Sequence, residues 1–265
     1  MIRAIKDHWP EYLIEGACLG VFMISAFTFG TIIEHPASPI RQNIANPLLR
    51  RLLMGCAMGG TAVALIYSPW GKQSGAHINP ATTLTFLRLS KMQMDDAVGY
   101  IAAQFAGGLI GAGIAAFALA SWISHPAVNY VVTVPGATGT WAALAAEIAI
   151  AFILMTIILH VSNKPRLHKL TGLCAGILVA VYITFEAPIS GMSMNPARTF
   201  ASAVPARQWA DLWIYFTAPL IGMLTAAELY LRTNGASRIG CAKLHHQNSE
   251  RCIFCGKPAA QSVKV

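Results

Sequence analysis

The sequence predicts an all-α integral membrane protein: six transmembrane helices plus two re-entrant half-helices, arranged as an inverted repeat. Three observations predict it. Of the 265 residues, 55% are hydrophobic and 11% charged, whereas about a quarter of an ordinary soluble domain is charged. Apolar stretches recur near 12–33, 52–68, 97–120, 141–161, 170–188 and 211–231, most of them close to the ~20 residues an α-helix needs to cross a bilayer. Finally, the phrase SGAHINPATTL at 74–84 returns 116 residues later (190 minus 74) as SGMSMNPARTF at 190–200, with Ser, Gly, Asn, Pro, Ala and Thr at matched positions. Self-similarity of this kind marks internal duplication.

Taken in order, the first span follows Arg3 and Lys6, as a signal peptide would. Its apolar run is long, it carries Glu15, and no small-residue cleavage site follows, so it reads as a retained helix. The remaining spans divide with the phrases into two similar halves, each reading span, span, phrase, span. An odd number of spans per half turns the second half upside down, and inverted repeats place a functional site at their interface near the membrane midplane. Glu15 in span 1 and Glu147 in span 4 occupy equivalent places. A carboxylate in a helix centre is costly unless paired, so both are candidates for a structural or functional role. The small-residue pairs Gly16/Gly20, Gly55/Gly59, Gly107/Gly111 and Gly172/Gly176 allow helices to pack closely where lipid supplies no hydrophobic drive. The resulting organisation is an N-terminal segment at 1–11, a channel-like domain at 12–232 (repeat 1 about 12–120, repeat 2 about 141–232) and a tail at 233–265.

The phrase itself is built to start a helix. Asn is a preferred N-cap and Pro is favoured at the first helical position, where its missing N–H is not needed. The apolar run after each Asn-Pro-Ala is only about ten residues, roughly half of what a crossing requires. These are half-helices, and the irregular backbone leading into them is tolerable at membrane depth only inside protein or beside a wet cavity. Inverted symmetry brings their N-termini together, each carrying about half a positive charge. With Arg198 they form a barrier to cations, while the Asn79 and Asn195 side chains cap through oxygen and turn NH₂ groups to the lumen.

The formal charge of +8 is no nucleic-acid signal. Six spans place fourteen Lys and Arg residues on the side of the termini, six of them from Arg232 onward, and five on the other: Arg41, Arg50, Arg51, Arg198 and Arg207. The asymmetry predicts both termini in the cytoplasm of a multi-pass cell-membrane protein.

Two Asn-Pro-Ala boxes (Asn79, Pro80, Ala81 and Asn195, Pro196, Ala197), Arg198 directly after the second, six spans and paired glutamates resemble the aquaporin, or major intrinsic protein, family over residues 10–232. The resemblance implies an aquaporin-like fold, a passive channel for water and small neutral solutes rather than an enzyme, a homotetramer with one pore per protomer, and no required cofactor. It implies that Glu15 and Glu147 brace the irregular segments. It also implies a constriction made by Arg198, Met192, Ile183 and a span 2 residue, Met58 or Gly59, the choice being open because SPWGK looks like an insertion. The strict water channels of the family carry an aromatic and a histidine at this ring, and the glycerol facilitators typically carry Asp after the Arg. Here Ile183 stands for the histidine and Thr199 follows Arg198, so the sequence does not rank water, glycerol, ammonia, metalloid acids and peroxide. His77 reads as a hydrogen-bonded loop residue and Glu186 as a solvated loop carboxylate.

The tail carries Cys241, His245, His246, Cys252 and Cys255, ligand types and spacing that make a structural tetrahedral zinc site a candidate. Cys18, Cys56 and Cys174 fall inside spans. Two other classes compete: an inverted-repeat secondary transporter, which would show saturable ion-coupled uptake, and a membrane metal or redox sensor acting through the tail. No nucleophile–base pair or metal triad in a pocket supports an enzyme.

Overall fold

The computed structural model describes residues 2–259. Residues 260–265, with Lys264, and the side chain of Arg3 lie outside that description. Eight longer helices carry the fold: α1 (Ile2–Glu34), α2 (Pro47–Tyr67), α3 (Pro80–Arg88), α4 (Met94–Leu119), α5 (Thr140–Ser162), α6 (Thr171–Phe185), α7 (Pro196–Ala206) and α8 (Leu212–Asn234). Among the described residues six apolar helical segments are long enough to cross a membrane, the fifth running His168–Phe185 with the turn before α6 included, and α3 and α7, with 9 and 11 residues, are the half-helices. No strand occurs among the described residues.

The ends follow local chemistry. Asn46 caps α2 by accepting from the amides of Leu48 and Leu49, with Pro47 in the first turn. Two predicted limits move. Helix α1 begins at Ile2, ten residues ahead of the apolar run, because hydropathy marks the lipid boundary and not the end of helical hydrogen bonding. The fifth span stops at Phe185, and the chain re-forms a short helix at Ala187–Ser190 before the second box.

Packing repeats the duplication. In the first half α1 lies along α4, in the second α5 lies along α8, and α2 joins α6 across the two halves. Glycine makes the first of these contacts intimate: a Cβ at Gly107 would sit 2.0 Å from the carbonyl oxygen of Gly16. The α2–α6 contact is equally close, since a Cβ at Gly59 would sit 2.4 Å from the oxygen of Gly176. With lipid no worse a solvent than a Leu side chain, such backbone approach is what holds membrane helices together.

After α8 the chain returns over the face that holds the N-terminus, here called the terminal face. Arg251 donates to both Glu11 carboxylate oxygens, at 2.7 and 2.6 Å, and Gly240 N donates to Asn163 Oδ1 at 2.8 Å. Ile239, Ala242 and Leu244 join the main apolar core beside Ile66, Ala76 and Phe86.

Candidate functional site

The approach to each half-helix is an alternating backbone. Gly75, Ala76 and Ile78 have φ of 101°, 56° and 51°, and their counterparts Gly191, Met192 and Met194 have 81°, 52° and 55°. Left-handed conformations cost a non-glycine residue energy and persist only where the surroundings over-determine them. The glutamates do so. Glu15, fully buried, accepts from Ser74 Oγ (2.8 Å), His77 N (3.0 Å), Ile78 N (2.6 Å) and Gln104 Nε2 (3.0 Å). Glu147, equally buried, accepts from Ser190 Oγ (2.8 Å), Ser193 N (2.7 Å) and Met194 N (2.8 Å). Tyr100 OH and Tyr215 OH donate to the carbonyls of Ser74 and Ser190, at 2.7 and 2.5 Å. Amides that face no ladder partner at membrane depth thus find carboxylate oxygens, which removes the main cost of burying both groups.

The half-helices meet end to end. Asn79 Oδ1 accepts from Ala81 N, and Asn195 Oδ1 accepts from Ala197 N and Arg198 N. Each amide nitrogen then crosses to the other box: Asn79 Nδ2 donates to Met194 O and Asn195 Nδ2 to Ile78 O, both at 2.7 Å. The expected NH₂ groups facing the lumen are therefore half engaged, since each amide has two N–H donors and one is used in the crossing.

Beside this junction runs a cavity of about 290 Å³. It extends from Glu34 and Arg51 at the opposite face, past Arg198 and the two asparagines, to Ile66 and Leu244 at the terminal face. Arg198 is 8% exposed, and its Nη1 has no protein partner. Other atoms of Arg198 line the cavity wall.

Residues 7–230 match the major intrinsic protein family. The chain belongs to that family. Among its relatives, Aquaporin NIP2-3 of Zea mays is 39% identical over 232 residues, covering 86% of this chain and 72% of the relative. Aquaporin NIP2-2 of the same plant is 39% identical over 173 residues, 65% of this chain, and the match spans only 57% of that relative's length. Among solved structures, the aquaglyceroporin from Plasmodium falciparum superposes with a TM-score of 0.69 at 18% identity, covering 85% of this chain and 96% of that one. At that identity the likeness speaks for the fold. Members of the family are membrane channels, not enzymes.

Within this major intrinsic protein the expected constriction residues separate cleanly. Met58, Ile183, Met192 and Arg198 all line the cavity. Gly59 does not, because the helical phase that aims Met58 at the cavity turns Gly59 against α6. His77 also lines it, with Nε2 3.0 Å from the Ala242 carbonyl and Nδ1 3.1 Å from Thr83 Oγ1. A carbonyl only accepts, so Nε2 carries the proton and Nδ1 takes the Thr83 hydroxyl. Thr199 is scaffold: its hydroxyl bonds those of Thr133 and Ser193. Glu186 departs from expectation. It is 9% exposed, folded under the short helix Ala187–Ser190 and not a solvated loop carboxylate.

In the tail, Cys241, His246, Cys252 and Cys255 bring one ligand atom each to within 4.8 Å of one another. His245 is not among them; its ring packs edge-on against Tyr67 at 5.3 Å. A hydrogen bond between Cys241 and Cys252, at 3.4 Å, holds the Cys252 thiol well below its usual range and pushes Cys241 up. Sequence reasoning did not place Leu244 at the pore or the Ala242 carbonyl against His77. The one local signal was their apolar character within a polar tail.

Proposed function

We propose that the chain is a passive channel for water and small neutral solutes, with the constriction formed by Arg198, Met58, Ile183 and Met192. The observation that carries the reading is the crossed pair of asparagines at the meeting point of two helix N-termini, on the wall of a cavity that reaches toward both faces. Both helix ends and Arg198 oppose cations, while a neutral molecule with a lone pair is served by the unused N–H groups of Asn79 and Asn195 on the cavity wall. Three apolar constriction residues and one cation fit solutes such as water, glycerol or ammonia better than ions. Both termini face the cytoplasm, by the excess of basic residues on the terminal side, and the channel assembles as a homotetramer in the cell membrane, as the family resemblance implies.

The test is stopped-flow light scattering on proteoliposomes. With any tail-bound metal removed by a chelator, an impermeant sugar gradient should produce shrinkage faster than in empty liposomes, and a glycerol gradient then reports whether re-swelling follows. Fast shrinkage without re-swelling assigns a water channel, and fast re-swelling assigns the wider solute range. Uptake that saturates and depends on an ion gradient would replace the channel by a transporter.

A further inference from the structure

We propose that the tail binds one zinc ion through Cys241, His246, Cys252 and Cys255, and that the metal-folded tail closes the terminal-face mouth of the pore with Leu244. The ligand set comes first. Zn–S and Zn–N bonds of about 2.3 and 2.0–2.1 Å in a tetrahedron place ligand atoms about 3.5–3.8 Å apart. Cys241 and Cys252 Sγ are 3.4 Å apart, His246 Nε2 and Cys255 Sγ 3.1 Å, and the whole set lies within 4.8 Å. Three thiolates and an imidazole in tetrahedral reach select zinc over harder divalent ions.

The surroundings are those of a thiolate site. The Gly256 amide donates to the Cys252 carbonyl at 3.0 Å, closing a tight turn around Cys255. Gly256, at φ 73°, turns the chain directly after Cys255. Lys243 is 2% exposed, an expensive place for an ammonium group. Its Nζ donates to the carbonyls of Lys72 (2.8 Å) and Arg251 (2.5 Å). Zinc with three thiolates carries one net negative charge, which Lys243 neutralises. A Cys241–Cys252 disulfide is the competing use of these thiols, but it leaves Cys255 and His246 paired for nothing.

The metal also holds the segment that touches the pore. Cys241 and His246 bracket residues 242–245. Within that bracket Ala242 O accepts from His77, Leu244 N donates to Gly75 O at 3.1 Å, and the Leu244 side chain, 4% exposed, lines the same cavity as Asn79 and Arg198. Phe254, between Cys252 and Cys255, stacks on the His77 ring at 5.6 Å. Beyond the short turn Ala236–Arg238 the described tail residues, to 259, form no helix or strand, so their shape depends on cross-links, and metal binding is then folding free energy.

The metal site stands alone; the plug rests on the channel reading. Full-length protein purified free of metal is titrated with Zn(II) and with Co(II). One equivalent per chain is expected, with the visible bands of tetrahedral thiolate Co(II), and none for the double variant Cys252→Ser/Cys255→Ser. No stoichiometric metal, or a Cys241–Cys252 disulfide in the purified chain by mass spectrometry, overturns the site. In proteoliposomes a membrane-permeant chelator should raise water permeability severalfold. Leu244→Gly should keep its zinc and be fast with or without chelator. Zinc binding with permeability equal in the loaded and chelated states of a conducting wild type overturns the plug. If the chelated wild type and Leu244→Gly both match empty liposomes while zinc still binds, the channel reading fails and the metal site stands.

Discussion

Position by position, the segments 74–82 and 190–198 share a backbone. Gly75, Ala76 and Ile78 are left-handed where Gly191, Met192 and Met194 are, a buried glutamate braces each segment, and each asparagine caps its own helix while bonding the carbonyl before the other. They differ in what they show the cavity. Thr82 stands where Arg198 stands in the second segment (82 plus 116), and His77 where Ser193 stands (77 plus 116). Duplication supplied a symmetric frame, since two half-helices must be held the same way from either face. Selectivity needs only one charged ring, so the second copy carries the cation and the first carries the contacts that receive the tail.

The largest effect should come from erasing that difference. Arg198→Thr gives both helix ends the same residue. A unit charge about 4 Å from a passing cation opposes it by about 4 kcal/mol at an effective dielectric of 20, so cation leak should rise by up to roughly a thousandfold. Thr82→Val, at the matched place, should leave it unchanged. Proton and potassium flux into dye-loaded proteoliposomes reads this directly. If Arg198→Thr stays tight, the helix ends alone exclude cations and the asymmetry serves another purpose.

A smaller effect should separate the two braces. Glu15 has a neighbour that Glu147 lacks: Gln104 donates to it, and the Gln104 Oε1 atom is buried with no partner. In Glu15→Gln the new NH₂ can meet that spare oxygen once Gln104 turns over. Four residues after Tyr215, where Gln104 follows Tyr100, stands Pro219, so Glu147→Gln has no such rescue. Leaving a buried donor unsatisfied costs about 1–3 kcal/mol, and Glu147→Gln should be the less stable variant by that order. Thermal unfolding in detergent compares them. Equal losses would show that Gln104 does not adapt.

Much of this frame was legible in the sequence because it is local or periodic: the spans, the duplicated phrase, the capping Asn-Pro pairs and the glutamates are read off spacing. What was not legible depends on phase or on distant contacts. Met58 and Gly59 are adjacent in sequence and differ by about 100° around a helix of 3.6 residues per turn, so an apparent insertion at 68–72 blurred which faces the cavity. Glu186 looked solvated because the fold-back of Ala187–Ser190 is a tertiary event. In the tail, His245 and His246 are equivalent by composition, and only the packing of His245 on Tyr67 distinguishes them. Leu244 reaches the pore through contacts some 170 residues away in sequence (244 minus 75).

The finest test asks whether the two boxes act as one unit. Asn195 Oδ1 covers two amides and Asn79 Oδ1 one. Loss of an N-cap typically costs about 1 kcal/mol, so both alanine variants should be destabilised and Asn195→Ala slightly more so. The two side chains share no direct bond. Each instead fixes the carbonyl before the other, so removing Asn79 frees Met194 and loosens the very segment that Asn195 ends. Groups linked through a shared backbone show coupling of about 0.5–3 kcal/mol, whereas independent sites add to within about 0.3–0.5 kcal/mol. Unfolding of Asn79→Ala, Asn195→Ala and the double variant should therefore give a double variant that loses less than the sum, because the crossing is already broken by either change. Strict additivity would mean that each half-helix is held by its own repeat alone, and that the crossed bonds align the junction without locking it.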